Sequence, residues 1–154
     1  MIRISRLTDY GIVLMAYVAA HPQRMHNAAE IAAGARLPLA TVSKLLRILA
    51  REDLLASHRG VKGGYSLARS ADDISVASIV GALEGPLALT RCSTGHSGKC
   101  TYEPCCPVSG HWQKINGAIR EALESVTLAD MAGVVSGGTA VPPHVAQAAA
   151  QTGN

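Results

Sequence analysis

A short helix, a glycine-containing turn, a longer two-faced helix and a basic glycine-rich hairpin follow one another between residues 27 and 68. That succession predicts a mainly α fold: a winged helix-turn-helix domain, continued by an irregular cysteine-bearing loop and a long C-terminal helix. Apolar residues make up 48% of the 154 and charged residues only 16%, so most of the chain is expected to fold around a core. Four Tyr, one Trp and no Phe are too few rings for a single-strand stacking platform, so a nucleic-acid partner is expected to be duplex.

Leu7, Tyr10, Leu14, Tyr17 and Val18 recur at helical spacing. They predict a first helix that starts near Thr8, with Thr8 or Asp9 as its cap, and ends before His21-Pro22, because proline disfavours helix in the residue before it. Asn27 caps a short helix over Ala28 to Ala33, stopped by Gly34. Pro38 then stands where the start of a helix tolerates it, and a longer helix runs to about Glu52. Leu54 to Ser57 and Tyr65 to Ala68 read as two strands around the tip Arg59-Gly60-Val61-Lys62-Gly63-Gly64. Ser75 caps a helix over Val76 to Leu83 that ends at Gly85-Pro86. From about Ser109 a final helix is predicted to reach Asp130, with Trp112, Ile115, Ile119, Ala122, Val126 and Ala129 forming a seam for a partner helix. The expected organisation is a DNA-binding domain over 1–85, a cysteine loop over 86–108, a dimerisation helix over 109–132 and a disordered Gly/Ala/Pro-rich tail over 133–154.

Charge is distributed unevenly. Met1 to Ile74 carries ten Lys/Arg against six Asp/Glu, whereas Ser75 to Asn154 carries four against five. A basic first half suits a module that meets an anionic polymer. At 100° per residue the longer helix gathers Val42, Leu45, Leu46 and Leu49 into one arc, and Ala40, Thr41, Ser43, Lys44, Arg47 and Arg51 into the other. A solvated helix face would look the same taken alone. The basic hairpin just downstream favours DNA: Pro38, Thr41, Ser43, Lys44 and Arg47 are the candidates for the major groove, and Arg59, Gly60, Lys62 and Gly63 for the neighbouring backbone or minor groove.

Arg3 and Arg6 before the apolar run Gly11 to Ala20 imitate a signal peptide, but Asp9 and Tyr10 interrupt it and the run is about half a membrane span. A cytoplasmic protein with no membrane partner is expected. Its four cysteines, Cys92, Cys100, Cys105 and Cys106, lie within one loop. In a reducing compartment such a cluster points to metal or redox chemistry before disulfides. No C-x-x-C pair is present, which weakens structural zinc, and the gaps x7 and x5 of Cys92, Cys100 and Cys106 suit an object larger than one ion, such as an iron–sulfur cluster. A nitric oxide- or redox-responsive regulator of the same fold, or a zinc or thiol switch without a cluster, stays open. An enzyme is not expected, since no nucleophile–base pair is visible, and no small-molecule substrate is expected either.

The stretches Arg3-Ile4-Ser5-Arg6-Leu7-Thr8-Asp9-Tyr10, Leu37-Pro38-Leu39-Ala40-Thr41-Val42-Ser43-Lys44-Leu45-Leu46 and Arg59-Gly60-Val61-Lys62-Gly63-Gly64-Tyr65, with three spaced cysteines, resemble the Rrf2 family of bacterial transcription regulators. The likeness covers about residues 1 to 131. It is closest to the branch that regulates SUF iron–sulfur assembly, and more distant from the IscR and NsrR branches. The resemblance implies a homodimer crossed by the C-terminal helix and bound to an operator as a repressor, responding to a [2Fe-2S] or [4Fe-4S] cluster on Cys92, Cys100 and Cys106. Cys106 is preferred to Cys105 because it keeps the family's x5 gap. Ser109 stands where the IscR branch has histidine. Asp9 matches the carboxylate that completes the cluster across the dimer in the NsrR branch, while by position alone it is equally a helix cap.

Overall fold

The computed structural model describes residues 3–60, 63–90, 93 and 105–136. Six helices and one hairpin are found there: α1 (Arg6–Ala19), α2 (Ala28–Ala35), α3 (Leu39–Arg51), β1 (Leu55–His58), β2 (Gly64–Leu67), α4 (Val76–Glu84), α5 (Ser109–Glu124) and α6 (Leu128–Ser136), with a short 3-10 turn at Ala71–Asp73. No described helix is long and apolar enough to cross a membrane.

The core forms where the apolar arcs of α1, α2 and α3 converge. Leu14, Met15, Val18, Ile31, Val42, Leu45, Leu46 and Leu49 are buried together, joined by Leu54, Leu55, Ile74 and Ile79. The predicted inner arc of α3 is therefore the buried one, and four leucine or valine side chains removed from water contribute roughly 1.5–3 kcal/mol each before chain entropy is counted. The hairpin pairs antiparallel in the register Leu55 with Leu67 through His58 with Gly64. On its other edge, His26 forms a single bridge with Tyr65.

Two helix ends differ from the sequence expectation. The cap of α1 is Ser5, not Thr8 or Asp9: its hydroxyl accepts the Thr8 N–H at 3.2 Å, and Asp9 lies in the first turn. Helix α2 continues through Gly34 to Ala35, and the left-handed residue that ends it is Arg36, at φ 55°. Gly34 is needed for packing instead, because a Cβ there would collide with the Tyr17 ring. At the end of α4, Gly85 does take the positive φ (87°) that stops the helix.

The expected single C-terminal helix is two helices. At Ser125 the hydroxyl bonds back to the Ala122 carbonyl (2.8 Å), and the chain then passes beside residues 74–76 as a one-residue β-bridge. Val76 N–H donates to Val126 O at 2.9 Å and Leu128 N–H donates to Ile74 O at 2.7 Å. Thr127 and Asp130 then form a reciprocal cap, Asp130 accepting the Thr127 N–H at 2.9 Å and Thr127 accepting the Asp130 N–H at 3.2 Å. Helix α6 packs on α1 and the 3-10 turn, burying Leu128 and Ala132. It packs with the N-terminal body, its Leu128 sharing the core of α1 and α3. Val126 and Ala129 leave the predicted seam with it and are half-buried. Residues 133–136 of the expected disordered tail are helical, and 137–154 lie outside the described residues.

Candidate nucleic-acid interface and cysteine segment

Pro38 caps α3 without a side-chain bond and is exposed. Lys44 and Arg47 follow on the outer face, both exposed, one turn apart and with no ion pair to any described residue. Arg51 differs: its Nε lies 3.4 Å from the Glu52 carboxylate. Thr41 and Ser43 are half-buried at the margins of the face, so the donors aimed outward most fully are Lys44 and Arg47. Leu39, which sequence reasoning passed over, is 51% exposed in the first turn of α3. On the helical wheel Leu39 falls at the Leu46 edge of the apolar arc, so periodicity alone gave no signal of its exposure.

The hairpin follows α3, and its first strand, β1, packs on that helix. His58 Nε2 and Ser66 Oγ lie 3.0 Å apart across its strands, while Arg59 and Gly60 are exposed at the tip. Gly60 has φ 114°, and Gly63 N–H donates to Gly60 O at 2.9 Å. A Cβ on Gly63 would press on the His58 and Gly60 carbonyl oxygens, so glycine is required for the backbone to turn this tightly. Lys62 lies outside the described residues. The structure thus brings Pro38, Lys44, Arg47, Arg59 and Gly60 to the surface on the predicted helix and wing.

Of the cluster candidates, Cys92 and Cys100 lie outside the described residues. Cys106 is half-buried just ahead of α5, Cys105 is exposed, and neither forms a disulfide. The Ser109 hydroxyl and N–H both donate to the Cys106 carbonyl, at 3.1 and 3.4 Å, which fixes the entry of the segment into α5. Asn116, the buried residue of α5, holds the segment's other end: its amide donates to Leu87 O and accepts from Leu89 N–H, each at 3.1 Å. Asp9 is exposed, and its carboxylate makes no hydrogen bond or ion pair with a described residue, because Ser5 has taken the capping role.

Glu84, unnoticed in the sequence, joins these parts. Its Oε1 accepts the Ser5 N–H at 2.8 Å and the Thr8 hydroxyl at 2.6 Å, tying the start of α1 to the end of α4, where the cysteine segment begins. The Thr8 bond first, then the Ser5 amide, hold its carboxyl below the ordinary 4.5. A depressed carboxyl contributes stability that is present above the ordinary value and lost as pH falls through the lowered one. Glu84→Gln is therefore expected to cost on the order of 1 kcal/mol or less at neutral pH, small because Glu84 is exposed, with the gap to wild type closing as pH drops below 4.5. Urea denaturation of both proteins at several pH values checks this; a gap independent of pH contradicts it.

The chain belongs to the Rrf2 family: the family model, described as an iron-dependent transcriptional regulator, matches residues 4–133. The HTH-type transcriptional regulator Rv1287 of Mycobacterium tuberculosis (strain H37Rv) is 33% identical over 148 residues, covering 96% of this chain and 88% of that protein. IscR of Sodalis glossinidius is 31% identical over 130 residues, covering 84% and 78%. Among solved structures, CymR, the global cysteine regulator of B. subtilis, superposes with a TM-score of 0.67 at 27% identity over 87% of this chain and 98% of that one. The protein is a DNA-binding transcription regulator of winged-helix architecture, and its relatives are regulators rather than enzymes.

Proposed function

We propose that the protein is a cytoplasmic homodimeric repressor that senses iron–sulfur status and controls SUF-type cluster assembly genes, with Cys92, Cys100, Cys106 and Asp9 of the partner subunit as cluster ligands. The observation that carries the reading is a cysteine-rich segment with a half-buried, non-disulfide thiol at Cys106, in a chain whose exposed Asp9 carboxylate bonds to no other described residue. Thiolates are the usual donors to iron–sulfur clusters, and a single carboxylate replacement is compatible with them. Sulfur ligation supplies a redox- and iron-sensitive group, and this chain's own residues do the rest. The Glu84 tether links the start of the cysteine segment to α1, which packs on α3, so a change in that segment is passed to the groove-reading face. Pro38, Thr41, Ser43, Lys44 and Arg47 meet the major groove, and Arg59, Gly60, Lys62 and Gly63 the adjoining backbone. Two such heads read half-sites about one helical turn, roughly 34 Å, apart.

The coupling is expected to lie at about 1–3 kcal/mol, or roughly 5- to 150-fold in operator affinity. Anaerobically purified protein should contain iron and acid-labile sulfide, and its operator affinity should differ by that factor from iron-free protein. Equal affinities defeat the sensing reading. Stoichiometric zinc without sulfide favours the second reading, a thiol or zinc switch, for which the exposed Cys105 beside Cys106 is the specific observation.

A further inference from the structure

His26 is fully buried, at 0% exposure, yet it sits in the connection between α1 and α2, where a surface loop would ordinarily keep an imidazole in water. Its ring is enclosed by two others, edge-on to Tyr17 with centroids 5.6 Å apart and edge-on to His21 at 5.8 Å. Nε2 lies 3.0 Å from the His21 carbonyl oxygen. A carbonyl can only accept, so Nε2 carries a hydrogen, while Nδ1 has no hydrogen-bond partner among the described residues. A leucine would fill the space without leaving a polar atom unpaired. What imidazole offers beyond volume is the Nε2–H···O=C bond that pins the loop.

The pinned backbone holds the wing. His26 N–H donates to Tyr65 O at 3.0 Å and Tyr65 N–H donates to His26 O at 2.8 Å, the reciprocal pair of an antiparallel bridge. Gly64 approaches so closely that a Cβ would press on the His26 carbonyl group. Strand β2 is thus paired on one edge with β1 and on the other with a single residue. A two-stranded hairpin is marginal in water by itself, so its aim relative to α3 depends on outside anchors of this kind. On its other side His26 adjoins Asn27, which caps α2 in a reciprocal box with Glu30. One residue therefore joins the helix-turn-helix to the wing.

We propose that His26 is a positioning residue for DNA binding: its buried imidazole fixes the loop whose backbone aims the wing, so that Arg59 meets the phosphate backbone. This rests on the reading of Arg59 as a phosphate contact. The test measures affinity for mixed-sequence duplex DNA across a range of KCl concentrations, using the full-length protein. Arg59→Ala is expected to flatten the salt dependence by about one unit. His26→Leu, which keeps volume and removes the donor, is expected to flatten it by a similar amount with little change in denaturation midpoint, and the double variant should be no flatter than either single. His26→Gln, whose amide N–H can replace the Nε2–H donor, should restore the slope. Hydrogen exchange at the Tyr65 amide should rise by about fivefold to tenfold in His26→Leu, the loss of roughly one hydrogen bond, with α3 amides unchanged.

A wild-type slope in His26→Leu, or a double variant that sums the two singles, overturns the inference. If Arg59→Ala itself leaves the slope unchanged, the phosphate contact falls, and Tyr65 exchange then decides whether His26 holds the wing. Should His26→Leu fail to fold, His26→Asn, too short to reach the His21 carbonyl, takes its place under the same criteria.

Discussion

Cys106→Ala is expected to yield protein without iron or acid-labile sulfide, whereas Cys105→Ala keeps both. The two thiols are neighbours in sequence but differ in burial: Cys106 is half-buried where the segment turns into α5, and Cys105 is exposed. A cluster ligand already held in place gives up less conformational freedom when the inorganic group binds. The two Ser109 bonds to the Cys106 carbonyl supply that order for Cys106. Absorbance in the visible region, iron and sulfide content and far-UV circular dichroism on anaerobic preparations check the prediction. Retention of the cluster by Cys106→Ala with loss in Cys105→Ala reassigns the ligand.

The largest stability effect is expected at Leu128→Ala, a loss of about 2–5 kcal/mol in urea denaturation at fixed protein concentration. Leu128 is 0% exposed and belongs to the same core as Leu14 and Leu45, although more than eighty residues separate it from either. Truncation would leave a cavity where α6 meets α1, and the neighbouring Leu128 N–H bond to Ile74 O would lose its packing cover. Ile115→Ala, by contrast, removes a side chain 44% exposed on α5 and is expected to cost much less in the same assay. A loss below about 1 kcal/mol at Leu128, far under the range for buried leucines, would detach α6 from the core.

The DNA-reading half was legible because it follows periodicity. The arc Val42, Leu45, Leu46 and Leu49 allowed only one face of α3 to enter the core, and the glycines of the wing left little but a turn between two short strands. The C-terminal half was less so. Val126 and Ala129 continue the spacing of Trp112 and Ile115, and periodicity alone could not show that the chain leaves the helix at Ser125 to pair with residues 74–76, a contact made across fifty residues. Thr127-x-x-Asp130 was the overlooked local signal, since that spacing is a helix start. Ser5 was missed in the same way behind Thr8. Glu84 and His26 had no sequence signal at all, because each acts through partners distant along the chain or through backbone atoms that any residue type carries.

Helix α5 packs against α4, and the chain after it returns to α1 through α6. A fragment ending at Gly85 would consequently lose Leu128 and Ala132 and leave one flank of α1 uncovered. Genetic dissection that treats the C-terminal third as a detachable handle would strip away part of the interior it was meant to spare.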